Sequence, residues 1–195
     1  MTLHRVVVTG ASGMLGRAIL RELARREDVC AFALYRRRPP KAFGKNIENR
    51  IVDLDQHEQL HRRLQEFRPT AFIHAAATGM QHPYPDASTL MRINVELPAL
   101  LAKAISDIPD CHFIHIINGL AYKDQGRPLR EDDPLETLHP YGASKVEAGE
   151  TFAVSPARSA HSFDDRATLL FYGTRRFRHS TFSLPLAKRG RAKAF

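Results

Sequence analysis

VVVTGASGMLG, residues 6–16, is the stretch whose reading decides the fold. Val6, Val7 and Val8 form a β-branched apolar run of the kind buried inside a parallel sheet, and Thr9-Gly10 ends it. Gly10, Gly13 and Gly16 follow at GxxGxxG spacing. Such a set lets the backbone turn tightly at the first glycine, approach a diphosphate at the second and lay a helix against the strand at the third. A phosphate there faces bare N–H groups and the positive end of the helix dipole. Three spaced glycines are a weak signal alone, but a strand before and an amphipathic helix after give them the context of a dinucleotide-binding turn. Leu15, Ile19 and Leu23 share one stripe of that helix, and Arg17, Arg21 and Arg25 another. Ser12, Met14 and Leu15, within the turn itself, join Gly10, Gly13 and Gly16 as expected cofactor contacts.

The chain has 195 residues and 43% apolar content, enough for one full α/β domain and too little for two. No apolar run approaches the roughly 18 residues of a membrane helix, and the N-terminus lacks a signal-peptide layout. Those features predict a cytoplasmic protein without a membrane partner. Cys30 and Cys111 each sit in an apolar run, which predicts buried thiols rather than a disulfide, and no His or Cys pair has zinc spacing. Of the net charge of +8, residues 151–195 carry +7, with nine Lys/Arg against two Asp/Glu, and residues 1–150 carry +1. A nearly neutral body argues against a nucleic-acid footprint on the folded domain.

Val29–Tyr35 reads as the second strand, ended by Arg36-Arg37-Arg38-Pro39-Pro40. In this kind of fold an acidic residue near that strand end holds the adenosine ribose, whereas arginine suits a 2′-phosphate. Arg36 and Arg37 therefore favour NADP over NAD, the alternative being a solvated basic turn. Residues 47–52 read as a third strand. Asp53 lies just past it, where a carboxylate can meet the adenine amine with Leu54 beside it; contact and no contact both stay open. Asp55 suits a helix cap, and the helix of residues 56–67 turns Leu60, Leu64 and Phe67 inward. Residues 70–77, TAFIHAAA, form the fourth strand. Ala75, Ala76 and Ala77 there admit a close cofactor, tight helix packing, or both, and His74 reads as a satisfied strand residue.

Residues 78–85 form a loop at the carboxyl side of the sheet, where ligands bind in open α/β folds. A long helix over residues 86–105 follows, with Leu90, Ile93, Leu97, Leu101 and Ile105 buried. Asn94 lies on or beside that stripe, and a buried amide needs partners, so Asn94 is placed to clamp the backbone of a neighbouring strand near the active site. Residues 111–117 give the fifth strand, ended at Asn118-Gly119. A long acidic loop then leads to Tyr141-Gly142-Ala143-Ser144-Lys145, in which phenol and ammonium share one helix face. An ammonium nearby favours phenolate, which suits the pair to pass a proton to a carbonyl oxygen as hydride arrives.

With TGASGMLG, Asp53, HAAA, Asn94 and YGASK in that order, the chain resembles the extended short-chain dehydrogenase/reductase superfamily. More narrowly, TGASGMLGRAI, RINVELPALLAKA and PLREDDPLETLHPYGASKVEAGE are similar to the branch holding dTDP-4-dehydrorhamnose reductases and the regulatory β subunit of methionine adenosyltransferase. The likeness spans about residues 3–150. It implies a Rossmann-type doubly wound parallel sheet, a nicotinamide cofactor, Tyr141 as proton donor and Lys145 on the nicotinamide ribose. Two functions follow from it. One is an NADP-binding regulator that associates with a methionine adenosyltransferase catalytic subunit. The other is an NADPH-dependent reductase of a nucleotide-activated 4-keto sugar.

Two departures bear on the choice. The branch ends its fifth strand in a Ser/Thr pair whose second hydroxyl polarises the substrate carbonyl, and here that position is Asn118, after Ile117. Asn118 would orient the carbonyl in a reductase, but an amide replaces the usual hydroxyl, and loss of one such donor costs ~10² to 10³ in rate. Cofactor binding does not depend on it. The likeness also fades after Glu150, where the family builds its substrate lobe. Residues 1–150 are thus expected to form the nucleotide-binding domain, followed over residues 151–195 by a basic tail with one further strand at residues 166–173 and otherwise disordered. The abrupt change in composition there is what a change of reading frame or of splicing produces.

Overall fold

The valine run forms β1 (His4–Thr9), which hydrogen-bonds in parallel to β2 (Val29–Tyr35) on one side and β4 (Ala71–His74) on the other. β3 (Ile47–Ile51) lies beyond β2, and β5 (His112–His115) beyond β4. The resulting order, β3-β2-β1-β4-β5, is all parallel, the doubly wound arrangement the sequence predicts. This computed structural model describes residues 3–37, 39, 43–54, 56–80, 83–116, 121–128, 130, 133–135 and 138–154, with the strands at 168–170 and 181–183.

Side chains alternate along the strands, so the central valines feed two cores. Val6 and Val8 join Ala31, Ala33, Tyr35, Ile47 and Leu20 under α1 (Met14–Leu23). Val7 and Phe72 join Leu60 and Leu64 of α2 (His57–Phe67) and Leu97, Leu101 and Ile105 on the opposite face. The α1 stripe is shifted from the one expected: Gly16 and Leu20 are buried, while Leu15, Ile19 and Leu23 flank them half-buried. The cause is the close approach at Gly16, which brings that line of the helix onto the sheet.

The expected long helix is present but not uniform. α3 (Ala87–Met91) leads into a π-helical turn, Arg92–Glu96, and then α4 (Leu97–Ile105). Asp86 caps the start, its carboxylate accepting from the Thr89 N–H at 2.8 Å. β4 and β5 are shorter than expected, so Ala75, Ala76 and Ala77 lie past the end of β4 rather than inside it. Both cysteines are free and half-buried, and burial pushes the Cys111 thiol up to about 12.

α5 (Pro140–Val154) runs across the expected boundary at residue 150. Beyond it, β6 (Thr168–Leu170) pairs antiparallel with β7 (Thr181–Ser183) in a separate two-stranded sheet, instead of extending the parallel one. A parallel addition needs a crossover, whereas two strands this close in sequence can pair as an antiparallel ribbon. No helix among the described residues is long and apolar enough to cross a membrane.

Candidate functional site

Gly10 sits at φ +67°, and a Cβ there would stand 2.6 Å from the backbone of Ala75 and Ala76. The turn after β1 therefore lies directly against the chain leaving β4, a packing only glycine allows. The Gly13 N–H donates to the Gly10 carbonyl at 2.9 Å. A Cβ on Gly16 would fall onto that same carbonyl oxygen. α1 starts at Met14 with no side chain capping it, which leaves the N–H groups of its first turn open to an anion. Ser12, Gly13 and Met14 are exposed at this mouth and Leu15 is half-buried.

Arg36 and Arg37 are exposed at the end of β2, and neither makes an ion pair among the described residues. Asp53 is exposed and Leu54 half-buried past β3. Ala75 and Ala76 are half-buried and Ala77 exposed. The carboxyl ends of β1 to β4 thus carry every adenosine-side and diphosphate-side residue named from the sequence. Asn118 and Asp55 lie outside the described residues.

On α5 the pair Tyr141 and Lys145 is buried, at 8% and 2% exposure, with the Lys145 Nζ 5.9 Å from the Tyr141 ring centre. Pro140 opens the helix, and the Tyr141 N–H donates to His139 Nδ1 at 3.2 Å. Lys145 makes no ion pair among the described residues. Burial brings its ammonium down to about 8.

Asn94 is fully buried in the π turn, where the extra residue per turn re-aims a side chain. Its Oδ1 accepts from the Thr78 N–H at 3.0 Å, and its Nδ2 donates to the Thr78 carbonyl at 2.9 Å and to Ser144 Oγ at 3.0 Å. Ser144 in turn donates to the Tyr141 carbonyl at 2.8 Å. One amide thus fastens the loop after β4, rather than a strand as expected, to the first turn of α5, because the chain has already left the sheet at Ala75.

Sequence reasoning did not find the polar row beneath α5. Thr9, His74 and His115 stand in register on β1, β4 and β5. Thr9 Oγ1 and His74 Nδ1 are 2.7 Å apart, and the two imidazoles stack at 5.4 Å. His74 is satisfied on one nitrogen only, since its buried Nε2 has no hydrogen-bond partner. Burial drives the His74 pKa down to about 3 and that of His115 well below its ordinary value, and the Lys145 charge lowers both further. The repeat FIH at residues 72–74 and 113–115 was the available signal. In the loop before α5, Arg127 forks onto the Asp133 carboxylate at 2.9 and 2.5 Å, which holds that carboxyl below its usual range. A groove of about 450 Å³ between α2 and the β2–β3 edge is lined by Phe32, Arg50, Arg63 and Phe67 among others, and includes none of the site residues.

The NAD dependent epimerase/dehydratase family model matches residues 6–162, from the first valine of the glycine-turn stretch through α5. The chain belongs to that family. This epimerase/dehydratase-family chain is 30% identical over 147 residues to methionine adenosyltransferase 2 subunit beta of Bos taurus, covering 74% of the chain and 41% of the relative. It is 28% identical over 143 residues to a probable dTDP-4,6-dihydroxy-2-methyloxan-3-one 4-ketoreductase of Streptomyces antibioticus, covering 72% and 44%. Among solved structures, the Bordetella bronchiseptica enzyme WbmG in complex with NAD superposes with a TM-score of 0.67 at 21% identity, over 80% of this chain and 51% of that one. The family chain thus spans less than half the length of these two sequence relatives.

Proposed function

We propose that this chain binds a nicotinamide dinucleotide, NADP in preference to NAD, and acts as a regulator akin to the methionine adenosyltransferase β subunit. One observation carries the cofactor reading. The glycine cradle, which any Cβ would fill at Gly10 and Gly16, shares the carboxyl end of the sheet with a buried, unpaired Lys145 ammonium. A diphosphate fits the first and ribose hydroxyls fit the second. Gly10, Ser12, Gly13, Met14, Leu15 and Gly16 would hold the diphosphate turn; Arg36 and Arg37 would hold a 2′-phosphate; Asp53 and Leu54 would border the adenine; Ala75, Ala76 and Ala77 would leave room for the cofactor, with Asn94 bracing their loop. Tyr141 and Lys145 would face the nicotinamide ribose. When bound, the cofactor supplies hydride.

The regulatory role is favoured by the relatives named methionine adenosyltransferase 2 subunit beta and by Asn118 at the position where a reductase uses a hydroxyl. The second reading, reduction of a nucleotide-activated 4-keto sugar, is favoured by the buried Tyr141–Lys145 pair, which has the components of a proton donor, and by the 4-ketoreductase relative. Tyr141 would donate its proton to the substrate oxygen, Lys145 would stabilise the phenolate left behind, and Asn118 would orient the carbonyl.

Titration with NADPH and NADH tests the cofactor, with tighter binding of NADPH expected and equal or tighter binding of NADH contradicting the choice. Pull-down with a methionine adenosyltransferase catalytic subunit tests the role, and failure to recover that subunit contradicts it. NADPH oxidation with dTDP-4-dehydrorhamnose, absent in Tyr141→Phe, would favour the reductase instead.

A further inference from the structure

Gly79, in the loop after β4, is buried and has φ +108°, a backbone state that residues with side chains rarely adopt. A Cβ there would stand 2.6 Å from Leu90 Cδ1, 3.2 Å from Tyr141 Cδ2 and 3.8 Å from Tyr141 Cβ. The two neighbours differ in kind. Leu90 offers the free end of a flexible side chain, which can rotate away. Tyr141 Cβ is fixed to α5, so its ring gives way either by turning about Cβ–Cγ, which redirects the O–H lying in the ring plane, or by swinging about Cα–Cβ, which moves the phenol oxygen itself. The loop cannot retreat instead. Asn94 holds the Thr78 N–H and carbonyl at 3.0 and 2.9 Å and is tied at 3.0 Å to Ser144, whose hydroxyl donates to the Tyr141 carbonyl at 2.8 Å. Gly79 and Tyr141 are thus pressed together by a closed circuit of hydrogen bonds through Thr78, Asn94 and Ser144.

We propose that Gly79 is a positioning residue for Tyr141: the side chain it lacks is what lets the Tyr141 ring keep its orientation beside Lys145. This rests on the cofactor reading above and concerns the nicotinamide end of the site alone. Through the ring it sets where the phenol meets the nicotinamide ribose and a substrate oxygen, and it leaves the diphosphate turn untouched.

The test uses the full chain with Gly79→Ala and with Gly79→Ala/Leu90→Ala, which removes the 2.6 Å contact and keeps the one to Tyr141. Affinities for NADPH and for 2′,5′-ADP, which carries the adenosine end and no nicotinamide, are measured by calorimetry. NADPH binding is expected to weaken about tenfold in both variants, the size of one lost charge-assisted hydrogen bond. Binding of 2′,5′-ADP is expected to stay within about twofold. In a Tyr141→Ala background the Gly79→Ala effect on NADPH is expected to shrink to what the backbone strain at φ +108° costs, because the rest acts through that ring. Wild-type NADPH affinity in Gly79→Ala/Leu90→Ala, equal loss of both ligands, or an undiminished effect without Tyr141 overturns the proposal. If neither variant folds, partial recovery of stability on adding Tyr141→Ala supports the contact, the strain at φ +108° remaining, and no recovery at all overturns it. A wild-type chain that binds neither ligand overturns the cofactor reading, and this proposal with it.

Discussion

Lys145, His74 and His115 are costly residues to bury, and their cost has a measurable signature. Burial favours neutral imidazole, holding His74 at about 3 against an ordinary 6.5 and His115 displaced in the same direction. Between those values the unfolded chain binds more protons than the folded one, so the share of stability these two imidazoles govern is whole above about pH 6.5 and is lost as the pH falls toward 3, whereas the Lys145 cost is set above about pH 8 and is constant across that range. Thermal melts from pH 7 to 4 are expected to show Tm falling throughout. His115→Phe, which keeps a ring against His74, is expected to flatten part of that slope, and an unchanged slope contradicts the assignment. The Asp133 contribution, with its carboxyl held low by Arg127, is lost only below the ordinary carboxylate range and does not mimic this. Tyr141 and Lys145 were legible in the sequence because phenol and ammonium four residues apart share a helix face wherever the helix lies. His115 was not, because its meaning comes from strand register with His74, a relation between segments 41 residues apart. Gly79 was hidden for a similar reason: its constraint is the ring of a residue on another element.

At the scale of elements, the strand-turn-helix unit is the most firmly specified part of the chain. Gly10 meets Ala75 and Ala76, and Gly16 meets Gly10, so each glycine opposes backbone, which cannot step aside as a side chain can. Gly16→Ala is expected to destabilise the fold by about 3 kcal/mol or more and to abolish dinucleotide binding. Gly13→Ala, whose Cβ would sit 3.2 Å from the Gly10 carbonyl oxygen, is expected to cost about 1 kcal/mol. Denaturant unfolding measures both, and a Gly16→Ala loss under about 1 kcal/mol contradicts the packing described. Strand and helix existence followed from periodicity, and β2 matches its expected span. The π turn at Arg92–Glu96 did not, since one extra residue per turn leaves the apolar spacing of Leu90, Leu97, Leu101 and Ile105 readable as an ordinary helix. The Gly16 contact was legible in the glycine spacing, but the buried α1 line running on from it to Leu20 was not, because a glycine adds nothing to the hydrophobic stripe that periodicity reads.

Across the whole molecule, a five-stranded parallel sheet gathers the glycine turn, the β2 and β3 ends, the alanines after β4 and the Tyr141 helix at its carboxyl end. The fold class followed from the sequence because strands and helices alternating behind a glycine turn build a doubly wound parallel sheet. The chain spans 41% of the length of the bovine relative. The measurement that bears most directly on the central claim is thermal unfolding with and without NADPH. At a concentration of about 100 Kd, specific binding to the native state adds about 2.7 kcal/mol, which for a chain of this size raises Tm by roughly 5 to 10 °C. That rise is predicted for the wild type, with a smaller one for NADH. Lys145→Met is predicted to lose most of the rise while melting no lower on its own, because it removes a buried charge with no ion-pair partner among the described residues. An identical midpoint with and without saturating NADPH would contradict the account.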